Sequence, residues 1–227
     1  MKIIYAASLA QTLDALNEAF FFGHSLSKTQ RNEVAKWLAS RHGLPYSYAN
    51  MFAPTEADYR HGVRLFTGET VRSGAATAHI LGEEVCRALI LLGVKDKIVG
   101  NALEEATRGM LERLNRPECN TYRTGIYCCG TCSASFWRHL SVGGLTKHEQ
   151  ILDAGMKTLK RYRLGDGKWR RFPFYYTLLA LSEIDNPGAL AEMRYAAPVL
   201  EKMVNRAARN KFGQRRKALA ERILAKC

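Results

Sequence analysis

The sequence predicts an all-α protein of repeated helical hairpins, curled into a partial α/α toroid, with an open α-solenoid superhelix as the alternative. Three observations carry this. Capping residues and glycine stops bracket apolar residues at helical spacing along most of the chain. Alternating strand patterns are almost absent. Tight turns between helices recur, the first two 51 residues apart at Leu92-Gly93-Val94 and Gly143-Gly144-Leu145, the third about 40 further on at 184–187.

The elements follow in chain order. Ser8-Leu9-Ala10-Gln11 reads as a capping box before Leu9, Leu13, Leu16 and Phe20, and Gly23 stops that helix. Ser27-Lys28-Thr29-Gln30 opens a second, with Val34, Trp37 and Leu38, stopped by Gly43. Residues 44–54, with Pro45 and Pro54, read as a loop, and 55–66 as a short helix ending near Gly68. Three hairpins are then expected: helices over 75–92 and 96–114, over 132–142 and 146–162, and over 174–184 and 187–209. Thr146-Lys147-His148-Glu149 reads as the box opening the fourth of these helices. Asn186 suits an N-cap and Pro187 the first helical turn of the sixth. Leu200, Met203, Val204, Ala207, Phe212, Leu219 and Ile223 continue near helical spacing as an amphipathic basic stretch broken at Gly213. Segments 1–70, 71–209 and 210–227 form an N-terminal helical part, the repeat body and a basic C-terminal helix, expected to build one structural domain.

Composition bounds the function. The 227 residues are 47% hydrophobic and 24% charged, enough apolar content for a real core and no collagenous or disordered chain. No apolar run approaches ~20 residues, so no transmembrane segment is expected. The opening residues run straight into a helical pattern, so a cleaved signal peptide is not expected and a cytoplasmic, reducing location is. The net charge of +13 is concentrated: 202–227 carries nine basic residues, Arg206 among them, against Glu221, and 157–171 carries seven against Asp166. Such segments suit nucleic acid or an acidic protein, or else form solvated helix faces.

The link Gly165-Asp166-Gly167-Lys168-Trp169, followed by a helix with Tyr175, Tyr176, Thr177, Leu178, Leu179, Ala180 and Leu181, resembles a unit of the terpenoid cyclase and prenyltransferase α/α-toroid superfamily. The resemblance covers about 75–205 as helix pairs and 159–181 as a motif. It implies inner and outer helices around a centre. The aspartate-rich cyclase motif is absent and the zinc set of the protein prenyltransferases cannot be placed, so it implies a fold and no activity.

Four of six cysteines lie within fourteen residues: Cys119, Cys128, Cys129 and Cys132. Cys129-x2-Cys132 falls at an expected helix start, where the helix N-terminus lowers thiol pKa and suits metal binding or redox exchange. Cys119, Cys129 and Cys132 are expected to converge, with Cys128 as fourth member, or with His79 or His139 closing the set. Zinc is favoured over an iron–sulfur cluster, which needs thiolates alone or nearly so. Without a second CxxC, a reactive or regulatory thiol, or simply buried core cysteines, also fit.

Two further constellations suggest a ligand site. His79, Glu83 and Cys86 share one helix face, with Glu84 and Arg87 alongside; they either line a cavity in which Glu83 tunes His79 or form a surface salt-bridge set. Trp169-Arg170-Arg171-Phe172-Pro173-Phe174-Tyr175-Tyr176 interleaves aromatics with arginines, as an anion or nucleic-acid site does, or as an inner-helix core does. The leading expectation is a protein binding an anionic or apolar small molecule, as an enzyme or otherwise, in a central cavity. Its lining candidates are His79, Glu83, Tyr127, Trp137, Arg171, Tyr175 and Tyr176. The alternatives are nucleic-acid or acidic-partner binding, and a metal or redox module at the cysteines. Walker A, GxGxxG, GxSxG and HExxH patterns are absent, so no organic cofactor is implied.

Overall fold

The computed structural model describes residues 2–205 and 207–227. Among them are eleven helices and one two-stranded sheet: α1 (Leu9–Phe22), α2 (Lys28–Ala39), α3 (Glu56–His61), β1 (Val63–Arg64), β2 (Thr70–Val71), α4 (Gly74–Leu92), α5 (Lys97–Leu114), α6 (Thr121–Thr124), α7 (Gly130–Leu140), α8 (His148–Lys160), α9 (Phe174–Glu183), α10 (Pro187–Val204) and α11 (Lys211–Leu224). The all-α expectation holds. No helix among the described residues is long and apolar enough to cross a membrane.

Most boundaries follow the capping chemistry. Ser8 accepts from the Gln11 amide, Ser27 and Gln30 form a reciprocal box, and Asn186 accepts from the Ala189 amide ahead of a proline-started helix. Three expectations fail. Residues 62–66 are not helical, because Gly62 at φ 72° ends α3 and the chain folds back so that Val63 pairs with Val71. The box at 146–149 does not form: Lys147 caps α8 in a left-handed conformation with no side-chain bond. The break in the C-terminal stretch precedes Gly213, which lies inside α11 and donates its amide to the capping Asn210. Arg206 lies outside the described residues.

Helices α4, α7 and α9 pack side by side as an inner row, and α5, α8 and α10 pack on them. The other face of the row is covered too: α1 and α3 lie on α4, and α11 lies on α9. Arg215 of α11 reaches α1, with salt bridges to Asp14 and Glu18, and donates to the Phe66 carbonyl. The inner row is therefore enclosed on both sides, and from Thr77 to Leu89 every residue of α4 is buried. That overturns the reading of the α4 polar residues as a surface salt-bridge set. They are core residues whose charges must be satisfied internally.

Two buried polar clusters result. In the first, Glu84, Arg87, Arg138 and Glu183 meet around Asn17 and Tyr176. Arg138 donates to both oxygens of Glu183, at 2.9 and 3.0 Å, to Asn17 Oδ1 at 3.0 Å and to Glu84. Arg87 donates to Glu183 at 2.7 Å and to Asn17 at 3.1 Å, and the Tyr176 hydroxyl donates to Glu84 at 2.6 Å. Two arginines balance two carboxylates, which is how such charges tolerate burial. The second cluster surrounds Glu83.

Candidate metal and thiol centre

The thiols are positioned by the start of α7. Cys129 is the N-cap, extended at φ −142°, and its sulfur accepts from the Cys132 amide at 3.5 Å. Cys128 precedes the helix. Two adjacent cysteines can face one point only while the chain is still non-helical, and here it is. The loop before them is held tightly. Trp137 Nε1 donates to the Gly125 carbonyl at 2.6 Å, and the Tyr127 amide donates to Ser133 Oγ at 3.0 Å. Gly125, at φ 66°, lies so close to α8 that a Cβ would fall 2.0 Å from the Gly155 nitrogen. A Cβ on Gly130 would fall 2.2 Å from the Arg171 carbonyl oxygen.

His79 comes from α4. One ring nitrogen of His79 and the sulfurs of Cys128 and Cys132 all lie within 4.8 Å of one another. Cys132 and His79 are buried, and Cys128 and Cys129 are exposed. Hydrogen bonds from the Cys128 and Cys132 thiols, helped by the amides of Cys132 and Thr131, push the Cys129 thiol far below its ordinary value against its partial burial. The neighbouring thiols in turn raise Cys132 and Cys128 above their ordinary value.

Behind His79 stands Glu83, fully buried. Its Oε1 faces His79 Nε2 at 3.3 Å and its Oε2 faces His139 Nδ1 at 2.5 Å. Burial pushes Glu83 up, but the charge and hydrogen bonds of His139, then of His79, win and hold it at about 2. Glu83 therefore fixes the orientation of the His79 ring beside the thiols. His139 Nε2 has no partner among the described residues. The His79 ring packs against the rings of both Tyr48 at 4.7 Å and Tyr127 at 4.2 Å, whose hydroxyls bond each other at 2.7 Å.

Of the candidates read in the sequence, the structure gathers His79, Cys128 and Cys132 within 4.8 Å, with Glu83 and Tyr127 against His79; Cys129, at the start of α7, lies next to Cys128 but outside that group. It does not bring in the others. Cys119 stands off against Thr121 Oγ1 at 3.1 Å, so the expected convergence of Cys119 is corrected: His79 takes its place, because the 119–124 segment turns its thiol toward its own helix. Tyr176 belongs to the Glu84–Arg138 cluster, Trp137 is packed against Phe172 with ring centroids 5.7 Å apart, Arg171 is exposed, and Tyr175 lies under Arg216 at 4.2 Å. Cys86 is buried in the core, where burial and then Glu83 raise its thiol.

An open groove beside the thiols is lined by Tyr48, Arg113, Cys119, Tyr127, Cys128 and Tyr162. Tyr48 was not singled out in the sequence, because a tyrosine in a proline-bounded loop carries no periodic signal. Arg138 and Glu183 were not singled out either: α7 mixes Thr, Ser and His with its apolar residues and Glu183 ends α9, so neither charge stands out in the sequence. No family model, curated protein or solved structure matches this chain.

Proposed function

We propose that this protein binds a soft metal ion, zinc, through His79, Cys128 and Cys132, with Cys129 as fourth ligand. The observation that supports it most is the convergence of one imidazole and two thiols within 4.8 Å, drawn from α4, from α7 and from the loop just before α7. A sulfur-rich set with one imidazole suits zinc better than hard cations, which prefer oxygen, and better than an iron–sulfur cluster. Glu83 acts on His79 as the carboxylate behind a metal-bound histidine does, fixing the ring and raising its basicity. The exposed Cys128 and Cys129 leave the ion reachable from the groove, so the centre suits a metal that a ligand or oxidant can approach.

The groove next to the centre, with aromatic walls and Arg113, supports a second reading in which an anionic or aromatic ligand docks beside the ion. The inner row α4, α7, α9 with outer α5, α8, α10 is compatible with a partial toroid of the terpenoid cyclase and prenyltransferase kind.

Elemental analysis of the purified full chain tests the metal reading, together with cobalt substitution. Near one equivalent of zinc and a thiolate-to-cobalt charge-transfer band are expected. Cys132→Ser abolishes both and Cys119→Ser leaves both. Absence of metal together with no charge-transfer band on adding cobalt to reduced protein refutes the proposal.

A further inference from the structure

The sequence carries two basic segments, and the fold uses them differently. In α11, Arg215 is paired with Asp14 and Glu18, and Lys211 with Asp14 at 3.2 Å. Arg216 donates to the Thr67 carbonyl at 2.6 Å, Lys226 donates to the Ser182 carbonyl at 2.8 Å, and Arg222 bonds the Phe21 carbonyl with its guanidinium 3.9 Å over the ring. Most of the C-terminal cations are thus committed to holding α11 on the body.

The segment 157–171 is the opposite case. Arg163 is paired with Glu192 and Lys168 with Asp166. Lys157, Lys160, Arg161, Arg170 and Arg171 are exposed, and none makes an ion pair among the described residues. Arg123 of α6 is exposed and free of such pairs as well, and with Lys157 and Arg161 it lines a surface trough whose one carboxylate, Asp153, accepts from Asn186. Thr124 and Thr158 line both this trough and the groove that contains Cys128. Arg170 lies 5.9 Å over the ring of Tyr162, a wall of that groove, and the Arg171 carbonyl abuts Gly130 at the start of α7. A chain of unpaired cations therefore runs along α6, α8 and the 170–171 turn, with an aromatic ring beside it.

We infer that this face binds a single-stranded nucleic acid. The cations come from two helices and a turn, which suits a chain of phosphates rather than one small anion. The trough opens into the groove walled by Tyr48, Tyr127 and Tyr162, so a strand lying along the cations brings its bases beside aromatic side chains, which an unpaired base can use and a duplex cannot. This interaction is separate from the metal centre, although the two surfaces adjoin.

The test is fluorescence anisotropy of the full chain with a labelled, mixed-sequence single strand of about 20 nucleotides over a range of salt. Affinity is expected to fall with salt by a log–log slope of about −0.7 for each phosphate contacted, roughly −2 to −4 in all. Reversing Arg123→Glu, Lys157→Glu and Arg161→Glu together is expected to weaken binding at least about tenfold and flatten the slope by about 2. Because the three side chains are exposed and unpaired, melting temperature and metal content should stay at wild-type values, so failure here leaves the metal reading standing. Lys202→Glu with Arg209→Glu, on the C-terminal segment, should leave affinity unchanged. Wild-type binding that ignores salt, a triple variant that binds as well as wild type, or tighter binding to a duplex or to phosphatidylserine vesicles than to the single strand would each overturn the inference.

Discussion

Replacing Arg138 by Met tests whether the buried charge cluster is satisfied only as a set. Arg138 is 2% exposed and joins Glu84, Glu183 and Asn17, elements drawn from α4, α9 and α1. Methionine keeps most of the aliphatic stem but leaves two carboxylates with one arginine. Glu183 keeps its 2.7 Å bond to Arg87, so the loss falls on Glu84, which retains only the hydroxyl of Tyr176 and the amide of Asn17. Removing one partner of a buried pair costs about 3–5 kcal/mol, and the surviving donors place this case near 3 kcal/mol. For a chain of this length that lowers the melting temperature by roughly 6–12 °C. Adding Glu84→Gln removes the stranded charge while keeping an acceptor for Tyr176, and should restore about 2 kcal/mol relative to the sum of the single changes. Denaturant unfolding of the four proteins in the cycle measures both quantities. A single variant within about 1 kcal/mol of wild type, or a double variant additive within about 0.5 kcal/mol, would refute the reasoning.

Two further outcomes follow from the same physics. Arg215→Ala should cost about 2 kcal/mol, because it removes charged hydrogen bonds to Asp14 and Glu18 and the cation held 4.1 Å over Phe66, whereas Lys217→Ala should stay within about 0.5 kcal/mol; equal effects would show that α11 is held by apolar contacts alone. Glu183 is pushed up by burial, but Arg138 and then Arg87 prevail and hold it below its ordinary 4.5. Its contribution is therefore full above pH about 4.5 and is lost as pH falls from there through the lower folded value, so stability measured in urea should begin to fall below pH about 4.5, and less steeply in Arg138→Met.

Helix placement was largely legible because the signals are local. Ser8, Ser27 and Asn186 cap within three residues of themselves, and glycines at 23 and 93 adopt the left-handed conformation that stops a helix. The 62–66 hairpin was not, because two residues per strand are too few to show an alternating pattern. The grouping of Cys128, Cys129 and Cys132 was readable from spacing alone. The choice of His79 over Cys119 was not, since it depends on how α4 lies against α7, a contact between residues about 50 apart. Arg215 is buried, although the basic segment 202–227 reads in the sequence as a polyanion-binding or solvated helix face. A basic residue on an amphipathic helix looks solvated until Asp14 and Glu18, at the other end of the sequence, are seen to face it.

The Arg215 contacts span 197 and 201 positions of sequence, and this separation has a consequence for the order of events in folding. The inner row and its outer helices are assembled from neighbours and can consolidate as the chain lengthens. The α1 carboxylates at 14 and 18 have to wait until nearly everything else has been made. The same seam is where the molecule should come undone first, since its closure rests on a few polar latches at the edge of a core that is otherwise continuous. Amide exchange in α11 and α1 should accordingly proceed together as one cooperative unit, at a lower free energy than exchange in α4 and α7.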